Sequence, residues 1–382
     1  MKHLLIVCLF SALGVGGAFA QKSPVQPFAD RHALAGAVML VADKDSVLSV
    51  ETVGYSDVAA GRKMEPDALF WIASQSKGMT AAAVMMLADE GRIALDDPVE
   101  KYLPEFKSQL VVFEKTDRQT VLRRPSHPFT IREALSHMTG LPFRSEVEVP
   151  TLDALPLATA VRSHAMTPLQ WEPGTAYQYS NAGINTAARV LEVVAGMPYE
   201  EFMQKRLFDP LDMKDTTFWP NEEQVARLAK TYRPNQAGDD LEEAPLGQLL
   251  SPLSDRSRRY PMPAGGLFST AQDTARFCQM LLNGGEFGGR RILSEAAVAE
   301  LGRRQTPESL KQSYGLGFSA SGDTFGHGGA HATHMEVRRR EGLVLVWMVQ
   351  HAGFPLDGKQ AQGEFRKAAL AKFAGMKSDQ RP

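Results

Sequence analysis

A serine stands three residues ahead of a lysine, Ser74-Gln75-Ser76-Lys77, where the apolar run Phe70-Trp71-Ile72-Ala73 gives way to Met- and Ala-rich sequence through Glu90. Residues three apart on a helix share a face. A serine at a helix start lies near unsatisfied backbone N–H groups and the positive end of the helix dipole, which favour a developing oxyanion. A free hydroxyl is a weak nucleophile and needs a base within hydrogen-bond reach. Lys77 is that base if burial lowers its pKa, because loss of water disfavours the ammonium. The pattern is loose, since a capping serine followed by a solvent-facing lysine has the same spelling.

Two further groups supply what such a nucleophile lacks. Tyr179-Ser180-Asn181 follows the turn Trp171-Glu172-Pro173-Gly174 and sits at a helix start. A phenol can relay a proton and an amide can bind a substrate carbonyl. The plainer reading is a tyrosine packed on the core beside an asparagine cap. His327-Gly328-Gly329-Ala330 leads into a strand over Thr333 to Arg339. Paired glycines allow close backbone approach, and a backbone N–H there can complete an oxyanion hole with that of Ser74. A zinc hydrolase on His327, His331 and His334 is a rival. In a strand, however, four residues span about 13 Å, too far for one ion. No Gly-x-Ser-x-Gly is present for a nucleophile elbow.

The elements that must position these groups are legible. Gly36 to Ala42 and Val47 to Val53, split by Asp43-Lys44-Asp45, read as a hairpin. Ser74 to Glu90 reads as a buried helix ended by Gly91. Thr130-Ile131-Arg132-Glu133 is a capping box opening a helix through His137. Gly183 to Val194 is a helix closed by Gly196, and Pro198 opens another. Asn235 to Pro263 reads as a long loop. Helices over Thr270 to Leu282 and Ser294 to Leu301 precede strands near Gly315 to Ala320, Thr333 to Arg339 and Leu343 to Gln350, then a helix near Glu364 to Phe373. The fold class is α/β (α+β): one antiparallel sheet built from both ends of the chain, flanked by helices. Residues 21–96 and 264–382 form the α/β part, with 97–263 a mainly helical insertion.

The order and spacing of the three motifs resemble the β-lactamase-like serine hydrolases: class C β-lactamases, D-Ala-D-Ala carboxypeptidases, D-amino-acid peptidases and family VIII carboxylesterases. Leu135-Ser136-His137-Met138-Thr139-Gly140-Leu141-Pro142, Pro210-Leu211-Asp212-Met213 and Ala264-Gly265-Gly266-Leu267-Phe268-Ser269 extend the likeness over nearly the whole chain. The resemblance implies a β-lactamase/transpeptidase-like fold and an acyl-enzyme on Ser74. Lys77 and Tyr179 then share base and acid duty, Asn181 orients the acyl side, and the N–H groups of Ser74 and Ala330 hold the oxyanion. It implies no metal or organic cofactor. One departure matters. Where β-lactamases and carboxypeptidases usually carry Lys-Thr-Gly, this chain has His327-Gly328-Gly329. A neutral histidine holds a substrate carboxylate weakly at pH 7. Weight shifts to esters, or to amides without that carboxylate, unless His331, His334 or Arg338 supplies the charge. β-lactamase or carboxypeptidase activity is the alternative, and a silent penicillin- or peptidoglycan-binding protein is a third reading.

Composition sets outer bounds. The 382 residues are 43% hydrophobic and 23% charged, with a net charge of −2 and no dominant basic stripe, so nucleic acid is not expected as a partner. The expected partner is a small ester, amide or peptide substrate. Lys2, the apolar Leu4 to Gly17 and Ala18-Phe19-Ala20 spell an export signal over residues 1–20, with cleavage before Gln21. The expected location is the periplasm or outside the cell, with no stable membrane span after cleavage. Cys278 then remains alone in a helical apolar pattern and reads as a buried structural thiol.

Overall fold

A computed structural model describes residues 23–376; the expected export signal lies outside them. Seven strands form one antiparallel sheet in the order Ser319–Ser321, Thr324–Gly328, His334–Arg338, Leu343–Met348, Gly36–Ala42, Val47–Asp57 and Arg62–Lys63. The first expected hairpin is therefore the far half of a sheet that the C-terminal strands complete. Every residue of Gly36–Ala42 is buried, because helices cover both faces. The strand period of two divides them. Val38, Leu40 and Ala42 join Phe277 and Leu281 in the main core, while Ala37, Met39 and Val41 meet Phe28 and Phe365 of the terminal helices.

The Ser76–Asp89 helix lies in the middle and is buried from Ser76 to Leu87. Gly78 makes that possible, since a Cβ there would stand 2.4 Å from the Phe318 ring. Burying each of its large apolar side chains stabilises the fold by about 1.5–3 kcal/mol. Gly91 takes φ = 67° just past the helix end, as expected of a C-terminal stop. Cys278 is buried in the Ala271–Leu282 helix, where burial pushes its thiol pKa up and keeps it inert.

Three expectations need correction. The capping box of Thr130 and Glu133 forms, but the helix stops at Leu135, and His137 turns left-handed at φ = 62°. Residues 235–263 are not all loop, since Leu241–Ala244 pairs with Thr231–Pro234. Buried Arg259 and Asp153 (Nε–Oδ2 2.6 Å) pin its later part. The strand expected over Gly315 to Ala320 is confined to Ser319–Ser321, and His327 and Gly328 lie on a strand of their own, Thr324–Gly328.

Candidate active site

The short strand Phe70–Trp71 pairs with Phe268–Ser269 and runs into a tight 3-10 turn, Ala73–Gln75, ahead of the long buried helix. Ala73 makes the bend at φ = 45°, a left-handed state that costs an alanine roughly 1–2 kcal/mol. The bend sets Ser74 half-buried at the helix tip. Lys77, one turn on, is fully buried, with Nζ 3.0 Å from Ser74 Oγ. Its Nζ also donates to the Ala264 carbonyl at 2.7 Å. Among the described residues no carboxylate pairs with it, and burial alone holds its pKa well below the usual lysine value. A neutral amine that donates to Ala264 keeps its lone pair for the serine proton.

Tyr179 closes the group. Its ring centroid lies 4.7 Å from Lys77 Nζ. Burial raises the phenol well above its ordinary value, opposed by a hydrogen bond with Ser74. Ser180, not Asn181, caps the next helix by accepting from the Gly183 N–H at 3.1 Å. Asn181 is therefore free of capping duty and lines the cleft, its amide oxygen buried without a partner.

The third motif reaches the same place. A Cβ on Gly329 would lie 2.2 Å from Thr333 Oγ1 and 2.6 Å from the Ile72 carbonyl. Only glycine lets this strap approach the nucleophile turn so closely. The Gly329 N–H is spent on the Thr333 carbonyl at 2.8 Å. Among the described residues, the N–H groups of Ser74 and Ala330 have no backbone acceptor. Both residues line a pocket of about 340 Å³, together with Tyr179, Asn181, Gly328 and Gly329.

His327 stands beside that pocket rather than in its lining. Its Nδ1 lies 2.6 Å from the Gly328 carbonyl and its Nε2 3.0 Å from the Tyr314 hydroxyl. With Nδ1–H donating, Nε2 accepts the Tyr314 proton, so the ring is neutral. Burial pushes its pKa down to about 3. The substitutes considered for a positive charge fail. Burial holds His331 and His334 to about 4. His331 packs edge-on to Trp71 with Nδ1 2.9 Å from Gln350 Nε2. Arg338 is bound to Glu336 and Glu341. The three histidines do not converge, and no group of three potential ligands among the described residues is placed to hold a metal ion.

A family profile described as Beta-lactamase matches residues 22–369. The chain belongs to the beta-lactamase family. It is 30% identical over 366 residues to Protein Rv1367c of Mycobacterium tuberculosis, covering 86% of this chain and 89% of that one. A Salmonella agona chain with the provisional name D-alanyl-D-alanine carboxypeptidase is 27% identical over 257 residues, 64% of this chain and 57% of that protein. Among solved structures, EstCE1, a hydrolase with promiscuous acyltransferase activity, superposes with a TM-score of 0.75 at 23% identity, covering 90% and 96% of the two chains. Simvastatin synthase (LovD) from Aspergillus terreus gives 0.76 at 18%, covering 92% and 97%. These last two establish the shared fold.

Within this family fold, several contributors carried no sequence signal of their own. Trp71, Phe143, Leu152 and Met262 make the apolar wall of the pocket, and Gln248 enters from the long loop. Tyr314 hydrogen-bonds His327 Nε2 from 13 residues away in sequence. His137 had appeared only as part of a helix end. Its left-handed turn places the ring 4.5 Å from that of Tyr179, and Nδ1 accepts the Ser180 N–H at 3.1 Å.

Proposed function

We propose that this beta-lactamase-family hydrolase is an exported serine hydrolase that forms an acyl-enzyme on Ser74 and cleaves carboxylic esters. The observation that carries the reading is the buried Lys77 amine 3.0 Å from Ser74 Oγ with no carboxylate beside it. Lys77 takes the serine proton as Oγ adds to the substrate carbonyl. The oxyanion forms between the N–H groups of Ser74 and Ala330. Tyr179, kept protonated by burial, then gives a proton to the departing alkoxide and recovers one from the ammonium of Lys77, which restores the neutral amine. Asn181 orients the acyl side. Water, deprotonated by the same pair, releases the acid and restores Ser74.

The preference for esters rests on charge. None of the described residues lining the pocket is a lysine or arginine, and His327 is held neutral. A substrate carboxylate would enter an apolar site with no cation to meet it, which is costly. The Salmonella relative favours a second reading, D-Ala-D-Ala carboxypeptidase. Short-chain p-nitrophenyl esters, nitrocefin and D-amino-acid amides, each assayed with wild type and Ser74→Ala, separate the two. The expected result is ester turnover that vanishes in the variant, with weak nitrocefin and amide turnover. Ester hydrolysis undiminished in Ser74→Ala would refute the nucleophile.

The reading places the mature chain in the periplasm or outside the cell, on the strength of the export signal in its sequence. No helix among the described residues is long and apolar enough to cross a membrane.

A further inference from the structure

Most of the exposed large apolar side chains among the described residues fall between residues 110 and 171. The densest group is a two-stranded hairpin, Val111–Lys115 with Thr120–Arg123. Residues 113–124 are exposed throughout, so beyond its base at Val111 and Val112 neither face of this hairpin is buried. Phe113 is 63% exposed, and Val121 and Leu122 stand out beside it. A lone two-stranded hairpin is marginal in water, and this one is tethered mainly at its base, where Val112 N–H donates to the Leu169 carbonyl at 2.8 Å. Beyond the base, where Val111 is buried in the main core, Phe113 with Val121 and Leu122 is an apolar surface awaiting a cover.

The charge identifies the cover. Within 107–124 stand Lys107, Lys115, Arg118, Arg123 and Arg124, against Glu114 and Asp117, in a chain whose net charge is −2. Arg123 is engaged by Glu172 at 2.6 Å, and its guanidinium lies 5.2 Å from the Phe113 ring. The other four cations form no ion pair among the described residues and are exposed. A second copy of the chain would bring like charges together. A surface of anionic headgroups over acyl chains meets both the cations and the apolar side chains.

We propose that the 107–124 hairpin is a docking element for an anionic lipid bilayer. Phe113, Val121 and Leu122 enter the headgroup–acyl boundary, and Lys115, Arg118 and Arg124 sit among the phosphates. Trp171, two residues from the Leu169 carbonyl that anchors the hairpin, is exposed as well.

The test is co-sedimentation of the protein with phosphatidylglycerol vesicles and with phosphatidylcholine vesicles, at low salt and at high salt. The expected result is binding to phosphatidylglycerol alone, weakened by salt. Arg118→Glu with Arg124→Glu should weaken it by at least about fivefold per site, and Phe113→Ser should weaken it at both salt concentrations. Turnover of a soluble p-nitrophenyl ester should stay unchanged, which shows that the variants are folded and keeps this test separate from that of Ser74. Absence of binding to phosphatidylglycerol overturns the proposal. So does equal binding by the charge-reversed variant, or light scattering showing a dimer that Phe113→Ser dissolves.

Discussion

Two cations among the described residues lie fully buried, and they have opposite fates. Arg259 meets Asp153 at 2.6 Å and also donates to the Phe218 carbonyl at 3.0 Å. Lys77 meets a carbonyl, a serine hydroxyl and the face of Tyr179, and among the described residues no carboxylate pairs with it. Burial penalises charge in both places. With a counter-ion the charge survives and pins the 235–263 loop beside the pocket. Without one, burial holds the pKa of the amine well below its usual value, which suits Lys77 to the base duty proposed for it. A buried cation is thus structural or catalytic according to its partner. Arginine suits the first use and lysine the second, because only the lysine gives up its proton in the working pH range.

The largest expected effect breaks the catalytic half. Lys77→Ala should lower kcat for an activated ester about ten-thousand-fold, at unchanged secondary structure by circular dichroism. A near-normal rate would place the base elsewhere. Breaking the structural half comes next. Asp153→Ala leaves Arg259 buried and unpaired, which should cost about 3–5 kcal/mol in denaturant unfolding. A loss below about 1 kcal/mol would mean that water already reaches Arg259. Tyr179→Phe is expected to be milder, about a hundredfold in kcat, because Lys77 remains. A loss matching that of Lys77→Ala would move the first proton transfer to the phenol.

The two halves were unequally legible in the sequence. Ser74 and Lys77 lie three residues apart, across the 3-10 turn Ala73–Gln75 and the first turn of the helix, so their spacing alone put them on one face. Tyr179 and Ala330 lie far off in sequence; their residue types allowed a proton relay and an oxyanion donor, and the resemblance assigned both to the reaction of Ser74. The sheet was readable from alternation and β-branched runs at both ends of the chain. Arg259–Asp153 was not readable, since an ion pair 106 residues apart inside a polar, Pro-rich stretch leaves no periodicity. The end of the Thr130 helix was also missed. The capping box marks a start, whereas the stop at Leu135 comes from His137 turning beneath Tyr179, a tertiary contact. Likewise nothing near His327 announced Tyr314, so the neutrality of that ring could be expected from its type but not its cause.

The smallest expected effect sharpens the comparison most, because it separates stability from activity. Lys77→Met keeps the length and apolar stem of the side chain and removes the amine. It should be inactive yet more stable than wild type at neutral pH, by about 1 kcal/mol or more. The pH dependence then identifies the cause. Lys77 has a folded-state pKa below its unfolded value of 10.5. Between those values the unfolded chain holds a proton that the folded chain has lost, so wild-type stability rises with pH there. The advantage of Lys77→Met should therefore shrink as pH is raised toward 10.5, by about 1.4 kcal/mol per pH unit inside that window. Parallel urea titrations of both proteins at pH 7 and pH 9.5 measure it. A gap independent of pH would mean that Lys77 keeps its proton in the folded protein, and the contrast with Arg259 would fail.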